Sequence, residues 1–275
     1  MKSALKGELL ILFSSFLFAI TALLVKFVSS NVDGFFLAFG RFIIGIILCV
    51  LFIIILKKGF VINDRKLWVL RGFYGSVAMI LYYLSIQITS SGRATLLNLT
   101  SPIFVALFGY LFFKEEIKLK HLLSLSLCII GIIFVYYDGS RYSLLGNTLG
   151  VLSGVFAGMA IHYLKLSGEK DNPYMVYLSA CVFGLVISVF SIKQASALTV
   201  NSALILIFAG ITAFIAQMFL TNGYQHVSPT KGSIISTMTV PLALLFSYFF
   251  VGEEMKLKFF VGTILILIGL IINRN

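Results

Sequence analysis

Long stretches without a charged residue constrain this chain more than any other feature. Phe42 to Leu56 and Leu122 to Val135 are two of them, and neither alternates with the period of two that a barrel strand requires. In hydrocarbon the backbone must satisfy its own hydrogen bonds, so such stretches fold as helices. A helix crosses roughly 30 Å of hydrocarbon in about 20 residues at about 1.5 Å each. On that measure the chain divides into ten spans. They fall at about 8–28, 35–56, 67–88, 92–113, 121–137, 145–164, 174–192, 202–222, 230–251 and 257–273. The expected fold is an all-α integral membrane protein. Composition agrees, with 60% hydrophobic and 11% charged residues and a mean hydropathy of +1.06. A soluble protein carries about a quarter charged residues, which excludes a cytosolic enzyme, a disordered tail or a nucleic-acid-binding domain. Ten spans leave about 75 residues for loops and tails, too few for a folded extramembrane domain.

The net charge of +11 is therefore informative through its distribution between loops. Lys2, Lys6, Lys57, Lys58, Arg65, Lys66, Lys114, Lys118, Lys120, Lys165, Lys170, Lys231 and Arg274 fall on the N-terminal side. Lys26, Arg41, Arg93, Arg141, Lys193, Lys256 and Lys258 belong to the other side, and Arg71 lies within the third span. This bias predicts a multi-pass protein of the cytoplasmic (inner) membrane with both termini cytoplasmic. No cleavage pattern of small residues follows the first span, so it is expected to remain as a helix. Cys49, Cys128 and Cys181 show neither metal nor redox spacing and read as packing residues.

The chain also repeats itself. Residues 109–120 read GYLFFKEEIKLK and residues 247–258 read SYFFVGEEMKLK. The same offset pairs Gln87, Ser90 and Arg93 with Gln225, Ser228 and Lys231, while an offset one residue larger pairs Ser14, Lys26 and Pro102 with Ser153, Lys165 and Pro241. Half the chain is thus a copy of the other half, with expected units 1–138 and 139–275. Five spans per unit is an odd number, so the second copy enters the bilayer from the opposite side. Two inverted five-helix repeats around one site can exchange conformations and open it to either side in turn, which is a carrier's geometry.

These residues carry a resemblance to a family. GRFIIG at Gly40 to Gly45, the run YYLSIQITSSGRATLLNLTSPIF, and GYQHVSPTKGSIISTMTVP followed by the GEE at Gly252 to Glu254 are similar to the EamA-like, ten-helix members of the drug/metabolite transporter superfamily. The resemblance covers essentially the whole chain. It implies that the first four helices of each repeat surround a central cavity and that the fifth and tenth brace it from outside. The family pattern places a glycine before the acidic pair, and Lys114 departs from it in the first repeat.

Several residues are candidates for solute handling. Pro102 and Pro241 interrupt the fourth and ninth spans and leave the carbonyls of Asn98 and Thr237 without their usual partner. Such a break must be buried in protein, bonded by a side chain or turned to a wet cavity; the same prolines also serve simply to kink packed helices. Tyr82, Tyr83 and Gln87 on the third span, with Gln217 on the eighth, offer rings and amides suited to a planar or amphipathic solute. Arg41 lies deep in the second span, where a cation costs roughly 2.5–3.5 kcal/mol on insertion scales, so it should face protein, carbonyls or water. The cavity candidates are therefore Arg41, Tyr82, Tyr83, Gln87, Asn98, Pro102, Gln217, Thr237 and Pro241. Lys26, Arg93, Lys165 and Lys231 are gate candidates, although snorkelling to headgroups accounts equally for such positions. All ten acidic residues fall at span ends or in loops. Without a mid-membrane carboxylate the cavity should favour neutral, zwitterionic or anionic solutes. Glu115, Glu116, Glu253 and Glu254 read as solvated helix-end charges. His162 and His226 are isolated, so no metal and no cofactor are expected. The expected partners are a small-molecule solute and membrane lipid, with no nucleic acid; Gly262 and Gly269 leave room for a homodimer contact.

The resulting reading is a secondary-active transporter of a small amphipathic metabolite (an amino acid, nucleoside-like or drug-like solute), with no enzymatic activity. Two other classes remain at this point: a non-transporting sensor or assembly partner, and a lipid-modifying membrane enzyme, which would need clustered nucleophiles or acids.

Overall fold

The structure is a computed structural model that describes residues 2–28, 32–89, 91–136, 143–252 and 257–274. Among these residues there are α-helices and one 3₁₀ segment, and no strand. The helices are α1 (Lys2–Val28), α2 (Gly34–Ile55), α3 (Arg65–Ile88), α4 (Ser91–Asn98), α5 (Ser101–Phe112), α6 (Leu119–Tyr136), α7 (Leu144–Gly168), α8 (Pro173–Ser188), α9 (Val200–Tyr224), α10 (Pro229–Ser236), α11 (Thr239–Val251) and α12 (Leu257–Arg274). The 3₁₀ segment, Val189–Ala197, follows α8. Short polar residues begin the helices at the points where the sequence turns apolar: Asp33, Asp64, Asn172, Thr199 and Ser228 each accept a hydrogen bond from a backbone amide three residues on, which satisfies one donor that the first turn leaves free.

Eight segments are long and apolar enough to cross a membrane, and Leu119–Phe134 and Phe260–Asn273 are shorter apolar helices. Eight of the ten expected spans thus have helices of membrane-crossing length, and the expected fifth and tenth are occupied by the two shorter ones. The fourth and ninth are broken where the prolines predict it. Before Pro102 the backbone tightens, with the Thr100 amide donating to the Leu97 carbonyl at 3.2 Å. The Thr237 and Met238 amides do the same to Ile234 and Ile235 at 3.1 Å each, and the Val240 amide takes the Thr237 carbonyl at 3.0 Å. The turn before the acidic pair is also shared: Lys114 has φ 54° and its repeat mate Gly252 has φ 76°. The lysine departs from the family's glycine in identity and still adopts the left-handed conformation, at a cost of roughly 1–2 kcal/mol.

Small residues set how closely the helices approach. Gly146, Gly150, Gly154 and Gly158 recur every fourth residue on α7 and form one stripe. A Cβ on Gly150 would lie 2.8 Å from Leu97, on Gly154 2.9 Å from Thr100 and 3.3 Å from the Asn98 carbonyl oxygen, and on Gly158 2.7 Å from Phe104. The interrupted α4–α5 segment thus lies directly on the α7 backbone. His162 adds a bond from Nε2 to the Val105 carbonyl at 2.8 Å. Elsewhere α1 packs on α9, α10 and α11, α3 on α7 and α8, α2 on α8 and α9, and α6 on α12. The α6–α12 contact is also close: Ser124 donates to the Gly269 carbonyl at 2.6 Å, and a Cβ on Gly131 would lie 2.6 Å from the Gly262 carbonyl. Gly262 and Gly269, expected to be open to a second copy, are covered within the chain by α6.

Gly158→Ala should lower the melting temperature of the detergent-solubilised protein, because overpacking a fitted contact costs about 1–3 kcal/mol. Gly168→Ala, whose new Cβ meets nothing nearer than 3.5 Å, should not lower it. Equal melting temperatures for the two variants would contradict the close α5–α7 approach.

Candidate functional site

Arg41 on α2 is enclosed by three other helices. Its Cζ lies 5.7 Å from the ring centroid of Phe18 on α1, within cation–π range. The guanidinium bears on Tyr83 of α3 and Tyr177 of α8. Tyr82 packs on Tyr83 with ring centroids 5.5 Å apart, and its hydroxyl lies 2.8 Å from Thr95 Oγ1 of α4. Beneath them Arg71 is 6% exposed, and its guanidinium folds back along α3 into the space a side chain at Gly75 would need. Gly45 on α2 serves α8 in the same way, leaving room for Cys181 at 2.6 Å and the Tyr177 ring at 3.2 Å. Arg41 Nε, Arg71 Nε and the Tyr177 hydroxyl all lack a hydrogen bond of acceptable geometry. Arg41 is half-buried.

The structure therefore brings Arg41, Tyr82 and Tyr83 together and adds Tyr177, Arg71 and Phe18. The other candidates are distributed around them. Gln87 is exposed near the end of α3. Asn98 donates from Nδ2 to Ser153 Oγ on α7 at 3.0 Å, tying the broken segment to its support. Pro102 and Pro241 are buried at the starts of α5 and α11. Thr237 bonds back to the Ile234 carbonyl at 2.7 Å, and Gln217 lies 3.4 Å from Thr221 Oγ1 on the same helix. Tyr177 was missed because its span, PYMVYLSACVF, carries no polar periodicity. The α7 glycine spacing, in contrast, was a legible signal.

Lys165 and Lys231 lie at the end of the bundle that carries the N-terminus. Lys231 pairs with Glu8 at 2.6 Å, and Lys165 donates to the Tyr224 and Val227 carbonyls at 3.2 and 3.0 Å. Glu115 accepts from the Thr230 amide at 3.2 Å, Gln225 donates to the Gly168 carbonyl at 2.6 Å, and Asn273 donates to the Lys231 carbonyl at 3.2 Å. Glu115 was expected to be a solvated charge; it is half-buried because Thr230 of the other half sits against it. At the same end Lys170 bonds Asp64 at 2.6 Å, and together with the Leu67 amide it holds the Asp64 carboxyl below the ordinary carboxylate range. The side chains of Lys26 and Arg93 lie outside the described residues, as do Glu253 and Glu254.

The profile of the EamA-like transporter family matches this chain twice, over residues 5–137 and 144–274. The chain belongs to the EamA-like transporter family. Solute carrier family 35 member G1 of Homo sapiens is 28% identical over 258 residues, spanning 87% of this chain and 70% of that protein. Pseudopaline exporter CntI of Pseudomonas aeruginosa is 25% identical over 271 residues, spanning 96% and 94%. A crystal structure with 16% identity superposes with a TM-score of 0.80 over 97% of this chain and 96% of its own, a likeness of fold. Membership in the family together with the apolar helices makes the chain a multi-pass membrane protein of transporter type.

Exchanging the charges of the Glu8–Lys231 pair tests the closure at this end. Glu8→Lys and Lys231→Glu should each lower the melting temperature in detergent, and the double exchange should recover most of the loss, since contacting charges couple by about 0.5–3 kcal/mol. Additive losses would show that the pair does not hold the two helices together.

Proposed function

We propose that the protein is a secondary-active transporter that moves a small amphipathic metabolite across the cytoplasmic membrane by alternating access. In this reading the halves 1–138 and 139–275 are inverted five-helix repeats, and α6 and α12 cross as the fifth and tenth spans. At 18 residues each they reach about 27 Å, close to the hydrocarbon thickness. Both termini are cytoplasmic.

The observation that carries the reading is the pairing of helices under exchange of halves. α1 on α9 becomes α7 on α3, α1 on α11 becomes α7 on α5, α2 on α9 becomes α8 on α3, and α6 on α12 maps to itself. The paired interruptions ahead of Pro102 and Pro241 and the shared turn at Lys114 and Gly252 support it further. Two copies that can swap conformations supply both access states. Arg41, Tyr82 and Tyr83 form the centre of the solute path, with Gln87, Asn98, Pro102, Gln217, Thr237 and Pro241 along it. Lys165 and Lys231 close the cytoplasmic mouth, and Lys26 and Arg93 are their counterparts outside. No bond is made or broken in the solute, so the protein is not an enzyme.

Amino acids, nucleosides and organic acids would be screened by thermal stabilisation, and the best of them carried into counterflow in proteoliposomes. A variant lacking native cysteines and carrying Glu8→Cys with Lys231→Cys should lose counterflow when a reducible bifunctional thiol reagent bridges the two positions, and regain it on reduction. Full bridging with unchanged counterflow would contradict alternating access.

A further inference from the structure

Arg41 and Arg71 put two guanidinium groups inside the bundle, and among the described residues no ion pair reaches either one. Five of the described carboxylates are engaged at helix ends: Glu8 with Lys231, Asp64 with Lys170, Glu169 with Lys165, Asp171 with Asn63 and Glu115 with the Thr230 amide. The groups around the two arginines are tyrosines, a phenylalanine face and Cys181, which soften a positive charge without cancelling it. A buried cation that lacks a partner is strongly unfavourable.

The unmet groups share a chemistry. Arg41 Nε and Arg71 Nε are donors, and the Tyr177 hydroxyl, 1% exposed, can be one; their complement is a ligand that only accepts. Arg41 is half-buried while Arg71 is only 6% exposed, so Arg41 is the more accessible of the two guanidinium groups and a ligand reaching the cluster meets it first, in the field of Arg71. The planar fork of a guanidinium matches a carboxylate in two parallel hydrogen bonds, and Phe18, Tyr82 and Tyr83 offer an apolar body flat surfaces.

We propose that this cluster is an anion site and that the transported solute is an amphipathic organic acid whose carboxylate is taken by Arg41 in the field of Arg71. The proposal rests on the transporter reading and narrows its substrate class. It assigns Gly75 the role of a notch that lets Arg71 fold toward the site.

Trp68, the single tryptophan of the chain, reports on the region: it lies one turn before Arg71, with its Nε1 donating to the Met175 carbonyl at 2.9 Å. Its fluorescence would be titrated in the purified full chain with phenylacetate, phenylacetamide, phenethylamine and phenyl phosphate, which share a ring and differ in head group. Phenylacetate should saturate, the amide and the amine should bind at least about tenfold more weakly, and phenyl phosphate should separate a carboxylate fork from a general oxyanion site. Arg41→Gln and Arg71→Gln should each weaken phenylacetate about tenfold while leaving the amide unchanged; the unchanged amide shows that the site is folded. Amide or amine binding as tight as the acid, no saturation by either anion, or arginine variants that bind the acid like the parent would overturn the proposal. Counterflow of phenylacetamide without phenylacetate would overturn the anion site and keep the transporter, whereas phenylacetate binding without counterflow would keep the site and remove the transporter.

Discussion

A backbone carbonyl that loses its helical donor inside hydrocarbon has no water to turn to, and the architecture is organised around two places where this happens. Pro102 and Pro241 each stop a helix near the middle of a long apolar stretch. The chain answers locally by tightening to three-residue hydrogen bonds, and at the first break it answers again across space. Gly154 of α7 lets the Asn98 carbonyl approach, Ser153 receives the Asn98 side chain, and His162 bonds the carbonyl of Val105 just beyond. Irregular backbone is thereby held inside protein, beside helices that carry the polar and cationic side chains of the candidate site.

The same economy of side-chain volume governs the charged centre. Arg71 fits because position 75 has no side chain, and α8 brings Tyr177 toward Arg41 because position 45 has none. Aromatic faces and hydroxyls then surround two guanidinium groups that find no carboxylate among the described residues. The acids are engaged at the helix ends, where Glu8, Asp64, Glu115 and Asp171 join segments far apart in the chain and Glu169 pairs with Lys165 one turn away. In the proposed alternating-access reading, one mouth must be held shut while the centre stays available, and this division of charge would serve both needs.

The helices were legible because lipid demands long apolar stretches and because Asp, Asn, Thr and Ser stand where helices begin. The breaks were legible because proline has a local and unavoidable effect. Arg41 and Tyr83 were legible as a pair of unusual residues, though not as neighbours. Tyr177 and the pairing of Glu8 with Lys231 depend on helix packing across more than a hundred residues, which no local pattern encodes. Glycine was the instructive failure. The stripe on α7 stands in the sequence at a spacing that close packing uses but was not read, whereas Gly262 and Gly269, expected to be open to a second copy, turn inward to α6. Spacing tells that a helix is approached, and only the fold tells by what.

Inversion of the two halves is the claim on which alternating access depends, and sided labelling of single cysteines tests it most directly. In a chain freed of Cys49, Cys128 and Cys181, Lys118→Cys and Lys256→Cys occupy the same place in the two copies. A membrane-impermeant maleimide applied to intact cells should label position 256 and leave position 118 unlabelled until the membrane is opened. Labelling of both from the same compartment would mean that the copies run parallel, and the shared central site would have to be abandoned.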